Sequence, residues 1–119
     1  MRTIQGVGVS AGIAIGTVRV LAAVDYAVER RVIDDPQAEM DRFRAARDTA
    51  VAQLKQLRDN VAAEFGENKA ELFDAHRLML QDPDYAECVE GLIAQDKVNA
   101  EFAVKSVAEQ FAAMFAAMD

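Results

Sequence analysis

The chain has no tryptophan, one cysteine (Cys88), one histidine (His76) and only two prolines (Pro36 and Pro83). Each scarcity removes a class of protein. A single cysteine rules out an intrachain disulfide, and one cysteine with one histidine cannot build a structural zinc site. No apolar run approaches the ~20 residues a bilayer demands, so a spanning segment is excluded. The N-terminus lacks a charged stretch followed by a long apolar block, so no secretory leader is expected and the expected compartment is the cytoplasm. Positive charge is short as well: 13 Lys and Arg stand against 20 Asp and Glu, a net charge of −7, which argues against a nucleic-acid partner. The remaining composition is rich in alanine and other apolar residues and favours helices over sheets. At 119 residues the chain suits one compact domain with little core to spare.

The first stretch, Thr3 to Val24, differs from the rest. Gly6, Gly8, Gly12 and Gly16 punctuate alternating β-branched residues, Val7/Val9, Ile13/Ile15 and Val18/Val20. This predicts two short strands with a turn around Ser10-Ala11-Gly12. A nucleotide-binding loop fails on spacing, because Gly6, Gly8 and Gly12 give GxGxxxG, one residue longer than the dinucleotide fingerprint, and an alternating strand follows. A GxxxxGK[ST] loop fails on its lysine, since none precedes Lys55. Two strands are marginal alone, so their sheet partners must come from elsewhere.

Asp25 to Asp35 reads as a charged connector, and Asp35-Pro36 as a helix start, with aspartate capping and proline at the first helical position. Met40, Phe43, Arg47, Ala50, Leu54, Leu57, Val61 and Phe65 then recur at threes and fours with no breaker before Gly66. That spacing predicts a helix of about thirty residues and about 45 Å. A helix that long must lie along others in a bundle or hairpin; Arg47 in its stripe is expected to snorkel at the edge. A second helix is predicted over Glu67 to Leu80, with Leu72, Ala75 and Met79 on one face and Phe73, His76 and Leu80 on its flank. Asp82-Pro83 repeats the start signal for a third helix carrying Tyr85, Cys88, Val89, Leu92 and Ile93. Cys88 is expected in the core. After a turn at Gln95 to Val98, Asn99 is expected to cap a fourth helix through Val104, Val107, Phe111, Met114, Phe115 and Met118. Its greasy end should be covered by further polypeptide or a second copy.

Charge is concentrated in one region. From Glu64 to Glu101 ten acids face Lys69, Arg77 and Lys97, a net −7 equal to that of the whole chain; the 63 residues before sum to +1 and the 18 after to −1. Glu67, Glu71 and Asp74 fall at i, i+4 and i+7 and share one helical stripe. An ordinary solvated face would also place acids there, but so localised a field suits the docking of a basic partner. Leu78 and Met79 beside the acids would supply the apolar centre of such an interface. His76 could carry a proton or a phosphoryl group. However, no Ser, Cys or second His lies near it to form a nucleophile–base pair, so packing or hydrogen bonding is its ordinary role.

With these residues in view, the opening GVGVSAGIAIG, the long helix and the segment FGENKAELFDAHRLMLQDPD together resemble the start of the Enzyme I family of the bacterial phosphotransferase system, the phosphoenolpyruvate-protein phosphotransferases. The resemblance covers essentially all 119 residues but only the first part of a much longer family chain. It implies a mainly α fold of helical hairpins forming a bundle, preceded by two short β-strands from an incomplete phosphohistidine (swivelling) domain. The expected boundaries are 1–24 for the strands, 25–35 for a connector, and 36–119 for an α-helical subdomain whose last helix is missing.

The resemblance further implies that this subdomain docks the small phosphocarrier protein HPr through Glu67, Glu71, Asp74, His76, Leu78, Met79, Asp82 and Asp84. His76 would then belong to the docking helix and would not be the phosphorylated residue. That histidine belongs to a downstream Thr-Ser-His motif, and no such tripeptide occurs here. The fragment is expected to bind without catalysing and to need no cofactor or metal. The parent enzyme, expected as a homodimer, would use phosphoenolpyruvate and Mg2+ through its missing C-terminal part. The alternatives are a nitrogen-regulatory or fused Enzyme I paralogue, or a non-catalytic helical module that self-associates through Phe111, Met114, Phe115 and Met118.

Overall fold

A computed structural model describes residues 1–22 and 27–118. Four helices follow one another: α1 (Pro36–Phe65), α2 (Glu67–Gln81), α3 (Pro83–Asp96) and α4 (Ala100–Ala116). Their ends are set by local chemistry. Asp35 caps α1 by accepting the Ala38 N–H at 3.1 Å, and Pro36 follows as the first helical residue, where a missing N–H costs nothing. Asp82 does the same for α3, accepting the Asp84 N–H at 2.9 Å ahead of Pro83. Gly66 separates α1 from α2 at φ 93° and ψ 163°, a region open essentially to glycine. The chain therefore reverses there, and α1 and α2 pack as a hairpin, the most extensive helix pair in the molecule.

The second hairpin, α3 with α4, lies against α1. Its turn uses Lys97 in the left-handed conformation, φ 50°. The core gathers here, where Phe43 of α1 meets Ala86, Val89 and Ile93 of α3 and Ala103 and Val107 of α4. Burying a side chain the size of Ile93 contributes about 2 kcal/mol through the apolar surface removed from water. The α1–α2 hairpin is leaner, with Ala70 as the fully buried residue of α2. Its small side chain lets the two backbones approach, and ion pairs supply further links.

Two expectations need correction. The strands over Thr3 to Val20 are not formed: among the described residues no strand occurs, and Ile4, Val7, Val9, Ile13, Ile15, Val18 and Val20 are exposed. Alternation alone does not make a strand, because a pair of strands has no stability without further strands or a helix to cover its apolar face. Val24, Asp25 and Tyr26 of the expected strand end and connector lie outside the described residues. Where the connector resumes, it is attached to the helices. Val32 makes an isolated antiparallel bridge with Val98, and the Ile33 N–H donates to the Lys97 carbonyl at 2.9 Å. The second correction is Cys88, which is exposed; the buried positions of α3 are Ala86, Val89 and Ile93, one helical turn apart.

Candidate functional site

Helix periodicity distributes the side chains of α2 into three sectors, at about 100° per residue. Ala70, Phe73 and Leu80 occupy the inner one, buried or half-buried against the rest of the molecule. Glu67 and Asp74 flank it. Glu71, Leu72, Ala75, Leu78 and Met79 occupy the outer one, with Leu72 58 %, Leu78 67 % and Met79 60 % exposed. The stripe Leu72, Ala75 and Met79 therefore faces solvent, and Phe73 and Leu80 do the packing. Period alone could not distinguish the two apolar stripes, because both recur at threes and fours.

The eight residues singled out from sequence fall on α2 and the start of α3. Asp82 is the single residue between these helices, so Leu78, Met79, Asp82 and Asp84 lie within about two helical turns of one another along the chain. All four are exposed. One Asp82 oxygen is engaged as the α3 cap, while Asp84 and Glu87 continue the acidic surface along α3. The first-turn acid of α3 is also favoured by the positive end of the helix dipole.

The acids of α2 are not equivalent. Glu71 has no salt-bridge partner among the described residues, whereas Glu67 and Asp74 share one cation. Arg58 of α1 donates from Nε to Asp74 at 3.0 Å and from Nη2 to Glu67. Arg77 Nη2 reaches the other Asp74 oxygen at 3.2 Å. The Arg58 guanidinium is held above its ordinary pKa, first by the hydrogen bond to Asp74 and then by that to Glu67. Sequence reading missed Arg58, although its i+9 and i+16 separation from the two acids across a glycine reversal could have signalled it.

His76 sits on the opposite edge of α2 from this cluster, its ring edge-on to Phe73 with centroids 6.5 Å apart. It lines an open apolar groove of about 550 Å³ together with Leu54, Met79, Tyr85, Phe111 and Phe115. Burial in this wall pushes the Tyr85 hydroxyl pKa up, and Tyr85 and Phe111 meet edge-to-face at 6.0 Å. The structure thus separates His76 from the Glu67–Asp74 cluster, and the groove joins it instead to Met79 and Asp82 and to the apolar surface of α4, where Phe115 is exposed. Among the described residues no cluster of three His, Cys, Asp or Glu could hold a metal ion, and no helix is long and apolar enough to cross a membrane.

Residues 5–119 match the family model described as PEP-utilising enzyme, N-terminal. The chain is 40 % identical over all of its 119 residues to the phosphoenolpyruvate-protein phosphotransferase of Bacillus subtilis (strain 168), of which it covers 21 %. It is 35 % identical over 118 residues, 99 % of its length, to the protein of that name from Listeria monocytogenes serovar 1/2a, again covering 21 %. It therefore spans about a fifth of the length of the curated relatives it matches. Among solved structures, a solution NMR structure of Enzyme I (nEIt) superposes with a TM-score of 0.74 at 29 % identity, covering 80 % of this chain and 39 % of that one.

Proposed function

The chain belongs to the family of PEP-utilising enzymes, whose N-terminal region it matches, and from that premise we propose that it is the HPr-docking part of a phosphoenolpyruvate-protein phosphotransferase. In the whole protein a phosphoryl group would pass from phosphoenolpyruvate to a histidine outside this chain and then to HPr, a small phosphocarrier that would bring basic side chains to this surface. This part holds HPr in place and contributes no reacting group. Magnesium and phosphoenolpyruvate belong, by the same resemblance, to a C-terminal part beyond these residues. A cytoplasmic location and a homodimeric parent are part of the same proposal. Residues 1–24 would belong to the swivelling phosphohistidine domain and 36–119 to the docking subdomain, joined by 25–35.

The observation that carries the proposal is the exposure of Leu78 and Met79 beside Glu71, Asp82 and Asp84. An apolar centre with an acidic rim is the anatomy of a surface for a partner with an apolar centre and a basic rim. The acids steer the approach of the partner, and the apolar pair resists its departure. Reversing charge at Glu71 and Asp74 should weaken HPr binding and flatten its dependence on salt. Unchanged affinity by calorimetry would remove this face from consideration. A second reading is favoured by the exposed Met114 and Phe115 of α4 and Met118 just beyond its end: self-association through that face and Phe111. Sedimentation separates the two, since a tight dimer that ignores HPr supports only the second.

A further inference from the structure

Part of the acid face already carries a cation in the free protein. Arg58 reaches from α1 to α2 and lies between Glu67 and Asp74, with Asp59 a further 3.8 Å contact on its own helix. Arg77 adds a second positive group on Asp74. Glu71, Asp84 and Glu87, by contrast, have no ion pair among the described residues. The carboxylates on this surface thus fall into an unpaired set, immediately available to an incoming lysine or arginine, and a set shared with the protein's own guanidinium.

A second cation approaching Glu67 or Asp74 gains less than one approaching a bare carboxylate, because it meets the repulsion of Arg58 as well as the attraction of the acid. The guanidinium is a planar fork that engages both carboxylates at once. Its contact with Asp74 is part-buried while that with Glu67, a 69 % exposed carboxylate, is open to solvent, so ordinary salt screens the Glu67 contact more than the Asp74 one. Resting on the docking reading above, we propose that Arg58 is an internal competitor for the partner's basic side chains, withholding Glu67 and Asp74 and thereby setting how many cations a partner must bring. Weakly basic proteins meet only the unpaired acids. A partner with enough basic groups at the right spacing can also draw on the withheld pair.

The sign of one substitution tests this. HPr encoded in the same genome would be titrated into the wild-type chain, R58Q and R58K by calorimetry, and mixed with each by stopped flow, at low and moderate salt. R58Q should bind about 3- to 10-fold tighter, mainly through faster association, with a steeper salt dependence. R58K, which keeps the charge but loses the fork, should gain about twofold. Asp74→Asn should cost little in the wild-type background and more in R58Q, a coupling that a merely structural arginine would not produce. Wild-type binding with R58Q unchanged or weaker overturns the competitor role alone. Absence of salt-sensitive binding by every variant overturns the docking reading and this inference with it. If circular dichroism shows that R58Q has lost helix, the comparison of R58K with wild type decides, and no gain in R58K counts against the proposal.

Discussion

Asn99 Oδ1 accepts the backbone N–H of Arg31 at 2.8 Å, joining the start of α4 to the connector 68 residues earlier. Its amide nitrogen donates to the Glu29 carbonyl at 3.1 Å and to Glu101 at 3.2 Å, and its own backbone N–H donates to the Arg31 carbonyl. With 3 % of its surface exposed, Asn99 is the one buried polar residue of the described chain. It fastens residues 29–33 to the base of the second hairpin.

Asn99→Ala should therefore cost about 2 kcal/mol, since it strands a partly buried N–H and carbonyl of the connector without partners. Urea denaturation would measure the loss. Hydrogen exchange would localise it, with the Arg31 and Ile33 amides exchanging faster while the α1 interior keeps its protection. Unchanged protection at those two amides would show that the connector is held by something else.

The contrast between Asn99 and Asp35 explains what sequence could and could not disclose. Asp35 binds three residues ahead, so its cap, like that of Asp82, was legible, as were Gly66 and all four helices to within a residue or two. Asn99 was expected to cap α4 in the same way, and it stands at that position. Its side chain turns instead to the connector, and the Ala100 N–H is taken by Glu39 from α1 at 2.7 Å. Such long-range substitutions leave no local trace. The unformed strands are the same lesson in reverse: Val7 to Val20 carry a β-type alternation, yet among the described residues no strand forms there. Cys88 was misassigned to the core because period identifies a face without saying what that face meets. The acidic cluster was legible; the Arg58 that divides it was not.

Gly66→Ala should destabilise the chain by about 1–3 kcal/mol through backbone conformation alone. The φ of 93° disfavours any L side chain, yet a Cβ there would meet open space, so no steric clash contributes. Thermal melts of the two proteins would test this. A melting temperature within error of wild type would mean that the α1–α2 reversal can be made by another conformation.

Acid should weaken the base of the bundle in a defined window. Arg42 bridges Glu39 at 2.6 Å and Glu101 at 2.7 Å, and chiefly through Arg42 the Glu101 carboxyl is drawn from its ordinary 4.5 down to about 2. Glu39 is lowered as well, again chiefly by Arg42. A carboxylate whose folded pKa is depressed stabilises the fold above its unfolded value, and that contribution is lost as pH falls toward the folded one. Stability should accordingly decline between about pH 4.5 and about pH 2, and E101Q should decline less steeply across it. Urea midpoints at several pH values would reveal an equal or steeper slope in E101Q if Glu101 is not responsible.

Replacement of Leu78 or Met79 by alanine should separate folding from binding. Both side chains are more than half exposed, so truncation leaves no cavity and should change stability by less than about 0.5 kcal/mol. Ile93→Ala, at a fully buried position, should instead cost about 2–5 kcal/mol. If the pair forms the apolar centre of the HPr interface, each truncation should weaken affinity by about tenfold, expressed as faster dissociation, because an apolar contact acts after the charges have steered the encounter. Surface plasmon resonance would resolve the two rates. Faster dissociation with unchanged association places the pair at the centre of the interface, whereas unaltered kinetics in both variants would restrict docking to the carboxylates and leave the exposed stripe of α2 for another contact.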